Sequence, residues 1–329
     1  MPAPDAAAAG VVRVASWEAG GLRESQGLAG VEEALARPGA RLWIDLARPD
    51  PAEVAAVGRL LDLHPLLVED IVERNQRAKI ELVGEVLHLV LFSLGMDGDR
   101  LYDRELDFVL ADRFLLTSHG SHWDPRATHH LRLGPGDLLA EGADHLLWAL
   151  ADDIVDSYFP VLDRLGDEID ELEDRVVADA RPATLERVFD LKRELIDVRR
   201  VTAPEREIFN QLTNRELGMV GQAEVLYFRD VYDHLIRLTD ELDNYRELVS
   251  GTLDVYLSTV NNNLSVIMKR LTGVTVIVSG VGAIGGLFGM SEAGAAIAGN
   301  ELPGFWIVIL GTLAVAATVA AVLHRIDWI

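Results

Sequence analysis

The chain has 329 residues, with 53 acidic and 30 basic side chains, a formal net charge of -23 and no cysteine. That balance argues against nucleic acid as a partner, because phosphates need a basic surface, and it leaves cations as favoured partners. Disulfides, thiolate zinc sites and cysteine nucleophiles are excluded outright. From Leu271 onward only Glu292, Glu301, Arg325 and Asp327 are charged, so the acidity belongs to the first 270 residues. Lysine occurs only at Lys79, Lys192 and Lys269, and a solvated acidic surface explains the charge as well as a functional field does.

Met1–Gly10 has neither a basic nor an apolar stretch and is not read as a signal peptide, so the N-terminus is expected in the cytosol. Residues 11–148 read as mixed α/β. Short runs rich in β-formers predict strands over Arg41–Leu46, Val86–Leu94, Leu106–Leu110 and Arg113–Ser118. Pro51–Leu61 and Pro65–Glu73 read as helices, each with proline in its first turn. From about Asp144 the period becomes helical, with Ile154, Leu162, Leu165, Ile169, Leu172 and Val176 recurring among charges. Pro182 ends that helix, and a second runs from about Ala183 to Leu217. A third begins near Ala223 and meets no proline before Pro303. A continuous helix of that length, on the order of 100 Å, needs lateral partners, which predicts a bundle or an oligomer.

Two uncharged stretches follow, Leu271–Met290 and Phe305–Leu323. Each is long enough to cross a hydrocarbon core about 30 Å thick. Lys269 and Arg270 precede the first, and His324 and Arg325 follow the second. The loop Ser291–Gly304 holds two glutamates and no base. By the positive-inside rule both chain ends face the cytosol. The expected division is therefore a cytosolic α/β domain over 1–148, a helical hairpin over 149–222, a stalk helix ending in the first span over 223–290, an external loop over 291–304, a second span over 305–323 and a basic tail over 324–329. The fold class is an α+β membrane protein with an N-terminal αβα domain, a long helical stalk and two C-terminal transmembrane helices.

Two patterns invite other readings. Gly280, Gly282 and Gly285 fit the dinucleotide fingerprint, but they lie inside a long helix and no second strand leads to an acidic partner, so no organic cofactor is expected. No catalytic constellation is visible, and an enzyme is not expected. His119, His122, His129 and His130 read as a surface loop rather than a metal site.

Steps of three and four along the third helix pick out one seam: Asp254, Leu257, Asn261, Ser265, Met268, Leu271, Thr275, Ser279, Gly282, Gly286 and Gly289. Within the uncharged stretch this seam is hydroxyl and glycine, while Val276, Ile277, Val281, Ile284, Leu287 and Phe288 fall elsewhere. Glycines four apart are also a close-packing motif, so helix packing and a water-filled path both remain open. The continuation through Ser265 and Asn261 to Asp254 favours the path, because a symmetric oligomer turns each residue into a ring. Met268 and Leu271 would then form two apolar rings able to close by dewetting.

Sequence strings along nearly the whole chain resemble the CorA family of divalent metal transporters, in the family's order. They are WIDL at Trp43–Leu46, LHPL at Leu63–Leu66, VEDI at Val68–Ile71, QRAKIE at Gln76–Glu81, YFRDVYDH at Tyr227–His234, DVYLS at Asp254–Ser258, MKRLT at Met268–Thr272, FGM at Phe288–Met290 and the basic-aromatic tail His324–Ile329. The resemblance implies a homopentamer in the cell membrane with a cytosolic αβ funnel, a pore-lining stalk helix and the second span outside it. The family's entrance triplet Gly-Met-Asn stands here as Gly289, Met290 and Ser291. A serine hydroxyl still exchanges hydrogen bonds with a hydrated ion but reaches less far than an asparagine amide. Where the family tends to carry a bulky hydrophobe, proline and threonine in the first span, Ser279, Gly280 and Gly282 stand instead.

The resemblance also places a regulatory metal site between subunits at Asp70 and Asp230, with Glu69 and Asp152 as neighbours. From the residues alone these are as readily an acidic face with helix-capping roles. The implied function is channel-like influx of Mg²⁺, with Co²⁺ or Ni²⁺ as further substrates, gated by cytosolic metal; Mg²⁺ would be both cargo and regulator. The alternatives are a Zn²⁺ or other divalent transporter of the same family, and a membrane-anchored metal sensor that does not conduct. The expected partners are the lipid bilayer, divalent cations and further copies of the chain.

Overall fold

Seven strands form one sheet: β1 (Val11–Glu18), β2 (Gly21–Gln26), β3 (Arg41–Ala47), β4 (Lys79–Val83), β5 (Val86–Asp97), β6 (Arg100–Leu110) and β7 (Phe114–His119), in the order β2-β1-β3-β7-β6-β5-β4. The structure is a computed structural model that describes residues 10–98, 100–132, 134–178, 180–214, 218–289, 301–326 and 328. All neighbouring strands are antiparallel except β3 and β7, which run parallel. The β4–β5 hairpin pairs Val83 with Val86, leaving a two-residue loop whose first residue, Gly84, sits at φ +65°. A side chain is disfavoured there, which is why glycine closes this turn.

Alternation along β3 divides its side chains between two layers. Leu42, Ile44 and Leu46 join Val12, Val14, Val109 and Leu116 in a buried cluster under α1 (Gly27–Leu35), α2 (Pro51–Leu60) and α3 (Pro65–Glu73). On the opposite face pack α4 (Gly136–Glu141) and α5 (Ala143–Asp156), giving three layers. Trp43 and Asp45 of β3 are buried. Asp45 is held by the Thr117 hydroxyl at 2.8 Å and by His119 Nε2 at 3.1 Å. Trp43 Nε1 donates to the same threonine oxygen at 3.1 Å.

The helix starts have identifiable causes. Asp50 caps α2 in a reciprocal box with Glu53, its side chain accepting from the Glu53 amide at 2.8 Å while Glu53 Oε2 accepts from the Asp50 amide at 3.0 Å. Removing such a cap costs about 1 kcal/mol. His64 caps α3 through Nδ1, accepting from the Leu66 amide at 3.2 Å. β1, β2, β4 and α1 were not among the predicted elements. β2 is largely exposed and glutamate-bearing, and β4 carries Lys79 and Glu81, so neither shows a clean apolar period.

The helix predicted from Asp144 is two helices, α5 and α6 (Tyr158–Ala178), separated at Ser157, whose hydroxyl donates to the Ile154 carbonyl at 2.6 Å. α7 (Pro182–Asn214) starts on Pro182 and continues through Pro204. Beside that proline, Glu205 is fully buried; its carboxylate accepts from the Phe92 amide at 2.8 Å and lies 2.9 Å from the Tyr158 hydroxyl. Burial pushes the Glu205 carboxyl up to about 8.

α8 is one helix of 66 residues, Glu224–Gly289, and α9 spans Glu301–Arg325. The chain divides into two compact units, one built from the segments up to Leu172 and from Glu186 to Ser250, the other from Glu173–Leu185 and from Gly251 onward. The sheet and α1–α5 belong to the first. In the second, the Thr252 hydroxyl donates to Glu173 at 3.2 Å.

Candidate metal sites and ion path

α5 and α8 together build an acidic group. Asp152 on α5 and Asp230 and His234 on α8 each offer a ligand atom within 4.8 Å of the others. Asp230 and His234 are four residues apart, which puts them on one face of their helix. Asp152 is 9% exposed, and burial raises its pKa. The His130 hydrogen bond, Nε2 to Oδ2 at 3.0 Å, opposes that shift, and the nearby Asp156 adds to it. Its second oxygen, Oδ1, is buried with no hydrogen-bond partner among the described residues. A buried orphan carboxylate oxygen is costly, and a bound cation removes the cost. Two carboxylates suit a hard divalent ion such as Mg²⁺, whereas the imidazole extends the fit to Co²⁺, Ni²⁺ and Zn²⁺.

Asp70 lies elsewhere in the same unit. It occupies the last turn of α3, where the helix dipole disfavours an anion, so it caps nothing. Lys79 Nζ is 2.7 Å from its Oδ2 and 2.9 Å from Glu81, and Gln76 Nε2 donates to its Oδ1 at 3.2 Å. The Lys79 pKa is raised: burial lowers it, but the bonds to Asp70 and Glu81 prevail. Asp70, Glu81 and His88 form a second group with metal-ligand spacing. Within one chain Lys79 already supplies the positive charge there. Glu69 is exposed and belongs to neither group. The chain thus brings Asp152 and Asp230 together and keeps Asp70 apart from them.

His234 and His130 are the residues of this region that the sequence reading did not assign to a site. The four-residue spacing of Asp230 and His234 on a helix was a usable signal for the first. The second was hidden, since no spacing links His130 to Asp152. The expectation of a histidine-bearing surface loop is corrected in part. His119 is buried at the end of β7 on Asp45, and His130 is half-buried on Asp152, whereas His122 and His129 are exposed.

Every seam residue from Asp254 to Gly286 lies on α8 and is exposed. The Ser265 and Thr275 hydroxyls donate back to the carbonyls of Asn261 and Leu271, at 2.9 and 2.7 Å. Their hydrogen-bond capacity is thus met inside the helix, as a nonpolar surrounding requires, while the oxygens keep lone pairs for a passing ligand. Leu271 on the seam and Val278 off it are 58% and 63% exposed, whereas Gly273 is buried and Ile277 and Ile284 are half-buried, so the seam is not the face covered within one chain. The fingerprint glycines Gly280, Gly282 and Gly285 are helical, and no phosphate-binding turn forms. α8 is the one helix among the described residues long and apolar enough to cross a membrane, with a mean hydropathy of 1.5 over an 18-residue stretch. The apolar stretch described in α9, Ile309–Arg325, is shorter than that measure requires. Gly289 ends α8; Met290 and Ser291 lie outside the described residues.

Comparison with known proteins agrees with this architecture. Residues 39–325 match the family described as CorA-like Mg²⁺ transporter protein. The "Cobalt/magnesium transport protein CorA" of Thermotoga maritima is 34% identical over 255 residues, covering 76% of this chain and 72% of that protein. The protein of the same name from Methanocaldococcus jannaschii is 24% identical over 291 residues, 88% of this chain and 91% of that one. The solved structure titled "The complete structure of CorA magnesium transporter from Methanocaldococcus jannaschii" superimposes with a TM-score of 0.79 at 21% identity, over 98% of this chain and 99% of that chain. The chain belongs to the CorA-like Mg²⁺ transporter family.

Proposed function

We propose that this protein is a homopentameric, channel-like transporter of the cell membrane that admits Mg²⁺, and with it Co²⁺ or Ni²⁺, down the electrochemical gradient. The observation that carries this reading is the seam of α8. A helix long and apolar enough to span a membrane carries hydroxyl, amide and glycine positions at one period, and they continue beyond its apolar part to Asp254. Five such helices around an axis place Thr275, Ser279, Gly282 and Gly286 along a wet path, with Met268 and Leu271 as the apolar constriction. α9 forms the second span outside this ring, and both chain ends face the cytosol, as the flanking Lys269, Arg270, His324 and Arg325 favour. The triplet Gly289, Met290 and Ser291 stands at the outer entrance. An ion of charge +2 gains about 4.6 kcal/mol per 100 mV, which drives influx without a nucleotide.

Asp152, Asp230 and His234 hold a regulatory cation in this reading, joined by Asp70 and Glu69 of a neighbouring copy. The cation supplies the charge that lets these carboxylates stand together. Without it, Asp152 and Asp230 repel each other and Asp152 Oδ1 lacks a partner. His234 beside the carboxylates favours Co²⁺, Ni²⁺ or Zn²⁺ as ions the regulatory group also accepts. Uptake into proteoliposomes under an inside-negative potential tests the function, with Mg²⁺, Co²⁺, Ni²⁺ and Zn²⁺ in competition. Saturable Mg²⁺ influx that Co²⁺ inhibits is expected. Metal binding without flux of any of the four ions would make the protein a sensor instead.

A further inference from the structure

In a chain of net charge -23, one cavity has more basic than acidic side chains in its lining. It has a volume of about 360 Å³ and lies among the α3–β4 connection, β5, β6 and α7. Arg74, Arg77, Arg104 and Arg200 line it against only two acids, Asp103 and Glu105. None of the four guanidinium groups has a salt bridge to a carboxylate among the described residues. Arg74 donates to the Ser118 hydroxyl at 3.2 Å, and Arg104 to the backbone carbonyl of Asp103 at 3.1 Å. An acidic protein has carboxylates in excess, yet these four arginines, Arg74 and Arg104 half-buried and Arg77 and Arg200 exposed, have none, which leaves their charge open to an anion from outside the chain.

Two further features belong to the same cavity. Arg74 closes α3 in the left-handed region, at φ 46° and ψ 47°, a conformation uncommon outside glycine and asparagine. Strain of this kind collects at sites that need a side chain aimed in one direction. Burial also lowers the Arg74 pKa, against the pull of Asp107 and Glu105, which marks a cation only partly compensated by the chain. Secondly, Glu105 Oε1 is buried with no hydrogen-bond partner among the described residues, while Oε2 accepts from the Gln76 amide at 2.9 Å. With burial and the neighbouring Asp107 charge pushing its pKa up to about 7, Glu105 spends part of its time protonated, and a protonated carboxyl donates to an anion rather than repelling it.

We propose that this cavity is a binding site for a small phosphate-bearing molecule of nucleotide size, held by Arg74, Arg77, Arg104 and Arg200. Guanidinium forks match phosphate oxygens two at a time, which lysine does not do. The volume falls at the lower end of small-molecule sites, about 300–1,000 Å³, and exceeds what a single inorganic phosphate needs. Phe92 lines the same cavity and offers an apolar ring surface for the part of the ligand that is not phosphate.

The test is titration calorimetry on the full-length protein in detergent, in chelator-containing buffer, with ATP, inorganic phosphate and adenosine as separate probes. Saturable ATP binding is expected, with inorganic phosphate on the order of tenfold weaker and adenosine weaker still. The double substitution Arg77→Gln with Arg200→Gln weakens ATP on the order of tenfold or more without changing the oligomeric state. Arg200→Lys alone keeps the charge but loses the fork, and weakens ATP severalfold. No saturable ATP binding up to about millimolar concentration overturns the site, as does adenosine binding as well as ATP, or ATP affinity unchanged by either substitution. A double variant that changes oligomeric state and leaves ATP binding intact also overturns it, and assigns these arginines to contacts between copies. No flux is measured, so the outcome is separate from that of the transport reading.

Discussion

The two ends of α8 solve opposite problems. Near Asp230 the helix packs into a polar body, and the informative atom beside it is a buried oxygen without a hydrogen-bond partner, Asp152 Oδ1. Beyond Gly251 the same helix carries only Asp254, Lys269 and Arg270 as charges, its Ser265 and Thr275 hydroxyls bond back to its own carbonyls, and the seam is uncovered within one chain. In the first region function is read from an unmet polar demand. In the second it is read from periodicity alone, because one chain cannot show which face its copies leave wet. The difference teaches that the proposed metal group and the proposed ion path, though both draw on one helix, require different tests.

The largest expected effect belongs to the apolar end. A Cβ at Gly282 would have no neighbour within 4 Å, so a side chain there starts into open space within a single chain. Gly282→Trp should therefore cut influx on the order of a hundredfold only by filling a path shared among copies. Val281→Trp, on another face, should leave influx within about twofold while the oligomer persists on size exclusion. Equal losses from the two substitutions would make the seam a packing motif. At the polar end, Asp230→Ala should shift the Mg²⁺ concentration that protects the protein from protease by about tenfold, and Asp152→Asn should do the same. Unchanged protection in both would remove the group from regulation.

Much of this was legible in the sequence. The helices beginning at Pro51 and Pro65 and the strand β3 followed from proline placement and β-former runs, and the length of α8 followed from the lack of proline between Ala223 and Pro303. What stayed hidden has physical reasons. β2 and β4 carry polar residues on exposed faces, so their alternation is weak. The break at Ser157 had a usable signal in Pro160, which lacks an amide hydrogen and suits the first turn of α6 but not the interior of a helix continued from α5. The pairing of His130 with Asp152 joins a connecting segment to a helix 22 residues away and is visible only once both are placed. The arginine cavity likewise draws on residues from 74 to 200.

The polar body makes a further contrast with α8, through pH. The folded Glu205 carboxyl titrates at about 8, against an ordinary value of 4.5. Between those values the folded state keeps a proton that the unfolded chain releases, so stability falls as pH rises through that window and levels off above about 8. Glu205→Gln keeps the shape without the charge and should lessen the fall in melting temperature between pH 5 and pH 8, leaving the share that belongs to Glu105. A slope equal to that of the unsubstituted protein would assign the pH dependence to other groups. The smallest effect is expected at the entrance. Ser291→Asn should sharpen discrimination between Mg²⁺ and Co²⁺ by about threefold, because the longer amide reaches a hydrated ion more directly. No change in discrimination would place selection deeper along α8.

The absence of native cysteine makes the central claim directly measurable. Single cysteines at Thr275, Ser279 and Gly286 on the seam, and at Val276 and Val281 off it, can be exposed to a charged, water-soluble thiol reagent while Mg²⁺ influx is followed. The account predicts that the seam cysteines react and that their modification blocks influx, while the other two remain unmodified or conduct normally. Reaction confined to Val276 and Val281, or seam cysteines that react without any change in influx, would contradict an ion path along this face of α8.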